Sequence, residues 1–145
     1  MDLQEFYKFA NENPVAFLAT VDGDQPHVRA LMMDKADETG FYFSMGIEKP
    51  MYHQLCANPK VEVCFFHQGA DFGQVKQMRV WGVMEEVHDP ALLESAYQAR
   101  VGLEQIAGKS IKPLMVVFRL KPAEGHFWTI MNAMREAETL VYVKW

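Results

Sequence analysis

Between Val15 and Met45 the chain changes direction twice within a few residues. Val15–Val21 is rich in β-formers and closes at Asp22-Gly23-Asp24; His27–Asp34 follows; Asp37–Gly40 turns again before Phe41–Met45. Turns this short join antiparallel neighbours, because a parallel crossover needs a dozen or more residues. The spacing therefore predicts an antiparallel, hairpin-built sheet.

The rest of the chain agrees. Residues 2–12 place Leu3, Phe6, Tyr7 and Ala10 near one helical face, and Pro14 stops the run. Pro50–Ala57 reads as a helix with proline in its first turn, ended by Asn58-Pro59. Val61–His67 and Gln77–Val87 read as strands, with Gly82 as a bulge or a point of close approach. Asp89 and Pro90 form a helix start, and that helix breaks near Gly102. Gly108–Pro113 reads as a loop, and Leu114–Leu120, Gly125–Ile130 and Leu140–Lys144 as the last strands. Seven or eight short strands with a few helices predict a mainly β protein, a small barrel with helices packed at its ends. Strands and helices do not alternate and no G-x-G-x-x-G occurs, which disfavours a Rossmann arrangement.

With 145 residues and no repeat or linker, one domain spanning 1–145 is expected. No apolar run approaches the ~20 residues of a membrane span. The N-terminus carries acids and does not read as a signal peptide. Cys56 and Cys64 lack ligand spacing, so reduced thiols and a cytoplasmic location are expected. A net charge of −5 argues against nucleic acid as a partner. The five histidines show no metal-ligand pattern.

Two features point to a site. First, both faces of the second strand are apolar beyond Arg29: Leu31 and Met33 on one, Ala30 and Met32 on the other. Ten methionines and 12% aromatics also suit more burial than one core needs, so a homodimer is expected. Second, Gly40–Pro59 runs from a buried strand through Ser44 and a glycine loop to Lys49 at a helix start. A hydroxyl, a lysine and a helix N-terminus within six residues suit an anion, with Arg29 close by. An ordinary strand-to-helix crossing with solvent-facing charges is the plainer alternative.

The blocks NPVAFLATVDGDQPHVRALMM, GFYFSMGIEKPMYHQLCANPKVEVCFF and KQMRVWGVMEEVHDP, with a weaker HFWTI, occur in order and resemble the pyridoxamine 5′-phosphate oxidase-related, FMN-binding split-barrel family. The resemblance implies a six-stranded split barrel and a homodimer with FMN at the subunit interface. It implies that Arg29, Ala30, Leu31 and Met32 lie along the flavin and its phosphate. Phe43 and Ser44 would touch the phosphate-ribityl region, and Lys49 would pair with the phosphate. Gln77 would reach FMN from the other subunit, and Trp128 would lie near the isoalloxazine. Many relatives carry a second basic residue before the lysine; here it is Glu48. The chain also ends at Trp145 without the family's arginine-rich substrate segment, so oxidation of pyridoxamine phosphate itself is not expected. The implied function is electron transfer between a reduced nicotinamide and a small molecule, with no side chain required as acid or base. The alternative is a non-catalytic module holding FMN, haem or the deazaflavin F420.

Overall fold

The computed structural model describes residues 2–145. Helix α1 (Leu3–Glu12) begins with the Asp2 side chain accepting from the Gln4 N–H and sends Phe6, Tyr7, Phe9 and Ala10 inward. The strands are β1 (Val15–Asp22), β2 (Gln25–Met32), β3 (Lys35–Asp37), β4 (Gly40–Gly46), β5 (Lys60–His67), β6 (Lys76–Val87), β7 (Met115–Thr129) and β8 (Val143–Lys144). Helix α2 (Pro50–Ala57) follows β4; α3 (Pro90–Arg100) and α4 (Leu103–Ala107) lie between β6 and β7; α5 (Glu136–Thr139) precedes β8. All strands join one antiparallel sheet in the order β2-β1-β5-β6-β7-β4-β3, with β8 on β7.

The ends of that order, β2 and β3, are consecutive in the chain and separated by only Met33 and Asp34. So short a link spans at most about 11 Å, which curls the sheet until its edges meet. The Met33 N–H donates to the Pro14 carbonyl, beside β1, and the Asp34 N–H to the Tyr42 carbonyl of β4, both at 2.8 Å. The chain thus crosses from one sheet edge to the other within one peptide. The result is the expected mainly β barrel: six long strands and two short ones, with flanking helices.

The expected hairpin forms, with Gly23 at φ +63° in its two-residue turn. Asp89 caps α3 by accepting from the Ala91 N–H. Three details differ from the sequence reading. Lys35–Asp37 is a strand, because its pairing with β4 closes the barrel edge. The two segments expected at Leu114–Leu120 and Gly125–Ile130 are one strand, β7, which runs through Pro122 against β6. Leu140–Lys144 contributes only the short β8.

Inside, Leu18, Phe41, Phe43, Val63, Phe65, Met78, Val80 and Leu120 are fully buried and meet the inner face of α1. Outside, the two halves of the barrel differ. Over β4 and β7, helix α3 packs Leu92, Leu93 and Ala96 on Tyr42, Met115 and Val117. Over β1, β2 and β5, among the described residues, no element covers Val15, Phe17, Val28, Met32 and Phe66, which are 42–69% exposed. Further along that outer face, His126 is 4% exposed beneath the rings of Trp81 and Tyr142, and its Nδ1 has no hydrogen-bond partner. Burial lowers its pKa below the ordinary histidine value. Among the described residues no helix is long and apolar enough to cross a membrane.

Gly82 sits at a register shift opposite Pro122, and a Cβ there would fall 2.1 Å from the Lys121 carbonyl oxygen. Gly82→Ala is expected to lower stability by about 2–3 kcal/mol in urea denaturation, the cost of forcing two strands apart. His126 predicts a pH effect. The unfolded histidine binds a proton below about pH 6.5, whereas the buried one resists it, so stability falls as pH drops through that value. His126→Phe should flatten stability curves below pH 6.5; an unchanged slope would show that other groups set it.

Candidate functional site

Arg29 pairs with Leu18 across the β1–β2 ladder and shares its inward face. At this end of the barrel the interior turns polar. Thr20, next inward on β1 and 1% exposed, donates to the Gln54 Oε1 of α2 at 2.6 Å. The Arg29 Nη2 donates to the same oxygen at 2.6 Å, and Nη1 donates to Thr20 Oγ1 at 2.8 Å and to the Leu18 carbonyl at 3.2 Å. Every partner is neutral, and among the described residues no carboxylate lies within ion-pair distance of Arg29. Burial lowers the guanidinium pKa, but arginine remains a cation at neutral pH. The network thus holds an uncompensated, half-buried positive charge with donors to spare, since a guanidinium carries five N–H groups.

Strand β4 alternates. Phe41, Phe43 and Met45 enter the core, while Tyr42 and Ser44 face the α3 side. Phe43 is fully buried, so at this position only its backbone can meet a ligand. Ser44 is 7% exposed and its Oγ has no hydrogen-bond partner among the described residues. A buried hydroxyl left unpaired costs about 1–3 kcal/mol. It borders a cleft of about 280 Å3 whose wall also carries Gly46, Lys49, Arg100, Lys109 and Met115.

Charge in this cleft resolves into pairs. Glu48 lies 3.3 Å from Lys109, so the acidic residue in the loop is neutralised across the mouth. Arg100 lies 2.7 Å from Asp34. Lys49 alone has no carboxylate within ion-pair distance among the described residues. It is also the N-cap of α2, whose first turn receives no side-chain hydrogen bond. A cation at a helix N-terminus is mildly unfavourable, and an anion would relieve that conflict; the Tyr52 N–H already donates to the Lys49 carbonyl at 3.1 Å, and Pro50 has no N–H.

The remaining predicted residues lie elsewhere. Ala30 and Met32 sit on the exposed outer face of β2, and Leu31 faces inward, partly buried. Gln77 and Trp128 are cross-strand partners on β6 and β7. Gln77 Oε1 receives a long contact from the Cys64 thiol at 3.5 Å, and the Trp128 indole donates to Glu136 at 3.1 Å. In sheet order β6 is three strands from β2, about 14 Å along the hydrogen-bonding direction. The chain therefore presents the predicted residues in three groups: Arg29–Met32, Ser44 with Lys49, and Gln77 with Trp128.

Sequence reasoning missed Thr20, Gln54, Asp34 and Arg100. Thr20 was detectable as a polar residue at an inward position two after Leu18. Arg100 carried no such signal, because its partner is 66 positions earlier in the chain and meets it only after folding.

Residues 3–129 match the family model for pyridoxamine 5′-phosphate oxidase. A pyridoxine/pyridoxamine 5′-phosphate oxidase from Brucella canis is 31% identical over 121 residues, covering 81% of this chain and 57% of that protein. The chain thus spans little more than half the length of that relative. Among solved structures, an FAD-binding protein from Mesorhizobium loti superposes with a TM-score of 0.67 at 21% identity, covering 88% of this chain and 94% of that one. HutZ, the haem storage protein from Vibrio cholerae, superposes with a TM-score of 0.64 at 20% identity, covering 88% and 93%. These two share the fold. Ordered sequence blocks, barrel topology and the match over residues 3–129 together place the chain in the pyridoxamine 5′-phosphate oxidase family.

Proposed function

We propose that this protein is a homodimeric flavoprotein that binds FMN non-covalently and passes hydride or electrons between a reduced nicotinamide and a small molecule. The observation that carries the reading is Ser44: a buried hydroxyl without a partner, beside an uncapped helix N-terminus and an unpaired lysine. Those groups fit a phosphate, whose oxygens accept hydrogen bonds from a hydroxyl and a cation together at the positive end of a helix. Ser44 and Lys49 hold the phosphate in this reading, and Arg29, bonded to Gln54 of the same helix α2, supplies further positive charge. Bound FMN supplies the hydride chemistry, and the chain's side chains bind, orient and limit access.

Two features support the dimer. Gln77 and Trp128 are far from Arg29 within one chain, so they serve the cofactor most simply by reaching a partner's pocket. The bare apolar face of Val15, Phe17, Val28 and Phe66 is the kind of patch that a second copy covers. Oxidation of pyridoxamine phosphate itself is not part of the proposal. A second reading, a module that holds FMN, haem or F420 without turnover, is favoured by the likeness in fold to HutZ.

Purified protein is expected to show flavin absorbance bands or to acquire them with added FMN. Lys49→Ala should weaken FMN binding about 10- to 100-fold, the loss of one charge-assisted contact. Arg29→Ala/Lys49→Ala should abolish the bands. Wild-type protein that stays colourless with added FMN would refute the flavin reading. Stopped-flow mixing with NADH and NADPH separates the two readings: bleaching by either supports the oxidoreductase, and bound FMN that neither reduces supports the module.

A further inference from the structure

At the corner where β2 passes into β3, the last turn of α3 and the first of α4 stand over the chain. Between them lies a cleft of about 470 Å3 lined by Met32, Met33, Asp34, Arg100, Leu103 and Ile106. That volume is in the range that takes a small molecule. Two methionines, a leucine and an isoleucine make its walls apolar, and its one charged feature is the ion pair between Asp34 Oδ1 and Arg100 Nη2 at 2.7 Å. The two side chains are 19% and 22% exposed, making this the most buried ion pair among the described residues. Arg100 is held further by donating to the Ala96 carbonyl at 3.3 Å.

Arg100 also forms part of the wall of the neighbouring cleft that contains Ser44 and Lys49. It is a partition between two spaces of different character. On one side an unpaired cation and an orphaned hydroxyl suit an anion. On the other, the arginine is cancelled by Asp34, and no lysine lines the cleft. An anion entering there would lose its hydration among apolar walls with no free cation to offset that cost.

We infer that the Met32–Ile106 cleft binds an uncharged, apolar small molecule, and that Asp34 sets this selectivity by neutralising Arg100. Identifying that molecule as the substrate rests on the flavoprotein reading above. The selectivity itself belongs to the chain's own residues and can be measured without FMN.

Two fluorescent probes differ by the charge in question: N-phenyl-1-naphthylamine is neutral, and 8-anilinonaphthalene-1-sulfonate is its anionic counterpart. Protein carrying Lys49→Ala, which disables the neighbouring anion site, should bind the neutral probe at least about tenfold more tightly, as expected for desolvating a charge with no free cation beside it. Ile106→Glu, at a residue that lines this cleft and not its neighbour, should weaken neutral-probe binding severalfold, which locates the probe in the cleft. Asp34→Asn, nearly isosteric, should tighten the sulfonate about tenfold and leave the neutral probe within about twofold. Arg100→Met, which leaves Asp34 as the lone charge, should weaken the sulfonate further and provides the same reading if Asp34→Asn does not fold. An unchanged ratio in both folded variants would reduce the ion pair to a corner staple and overturn the inference, as would neutral-probe binding that ignores Ile106→Glu. Repeating the titrations after an FMN binding assay keeps the two proposals apart. A protein that rejects FMN but keeps the probe selectivity loses the flavin reading alone, and one that binds FMN but shows no selectivity loses this inference alone.

Discussion

The link between Met32 and Lys35 governs the architecture. Two residues cannot reach across an open sheet of seven consecutive strands, so the sheet must close until β2 and β3 meet. The backbone donors of that link go to opposite edges, Met33 to Pro14 and Asp34 to Tyr42. With those donors satisfied, Met33 can be buried in the core at 3% exposure while Asp34 is left at the surface corner to meet Arg100. Closure therefore fixes where β2 ends, where α3 docks, and which side chains share the space between them.

Closure also separates two kinds of outer surface. The half over β4 and β7 is covered by α3, giving Ser44 a sheltered position beside the cleft, with no partner for its hydroxyl among the described residues. The half over β1, β2 and β5 has no cover and displays large apolar side chains. A chain that pays for so much exposed apolar surface usually hides it against another molecule. The candidate cofactor residues straddle the boundary between these halves, which suits a site completed by two subunits.

Within the clefts, pairing rather than charge count decides chemistry. Lys109 and Arg100 are both cationic, yet each is cancelled by a carboxylate, Glu48 and Asp34. Lys49 and Arg29 are not, and they are the two cations that the anion reading needs. Glu48 therefore opposes a phosphate far less than its place in the loop suggests, because Lys109, brought in by the segment after α4, holds its carboxylate.

Much of this was legible in the chain itself. The turn at Gly23, the cap at Asp89, the bulge at Gly82 and the β-helix-β order around Lys49 are local, and local chemistry dictates them: φ preference, an available side-chain oxygen, and the lack of a Cβ. The ordered blocks from Asn13 to Pro90 carried the family for the same reason, since they preserve that local chemistry in sequence. Which residues meet across the barrel was not legible. Thr20 with Gln54, Glu48 with Lys109 and Asp34 with Arg100 are separated by 34, 61 and 66 positions, and no periodicity links such partners. The sequence by itself determined an antiparallel barrel and the residue types that can hold an anion. Only the closed tertiary structure decided which charges remain free, because a charge is cancelled by what lies beside it in space.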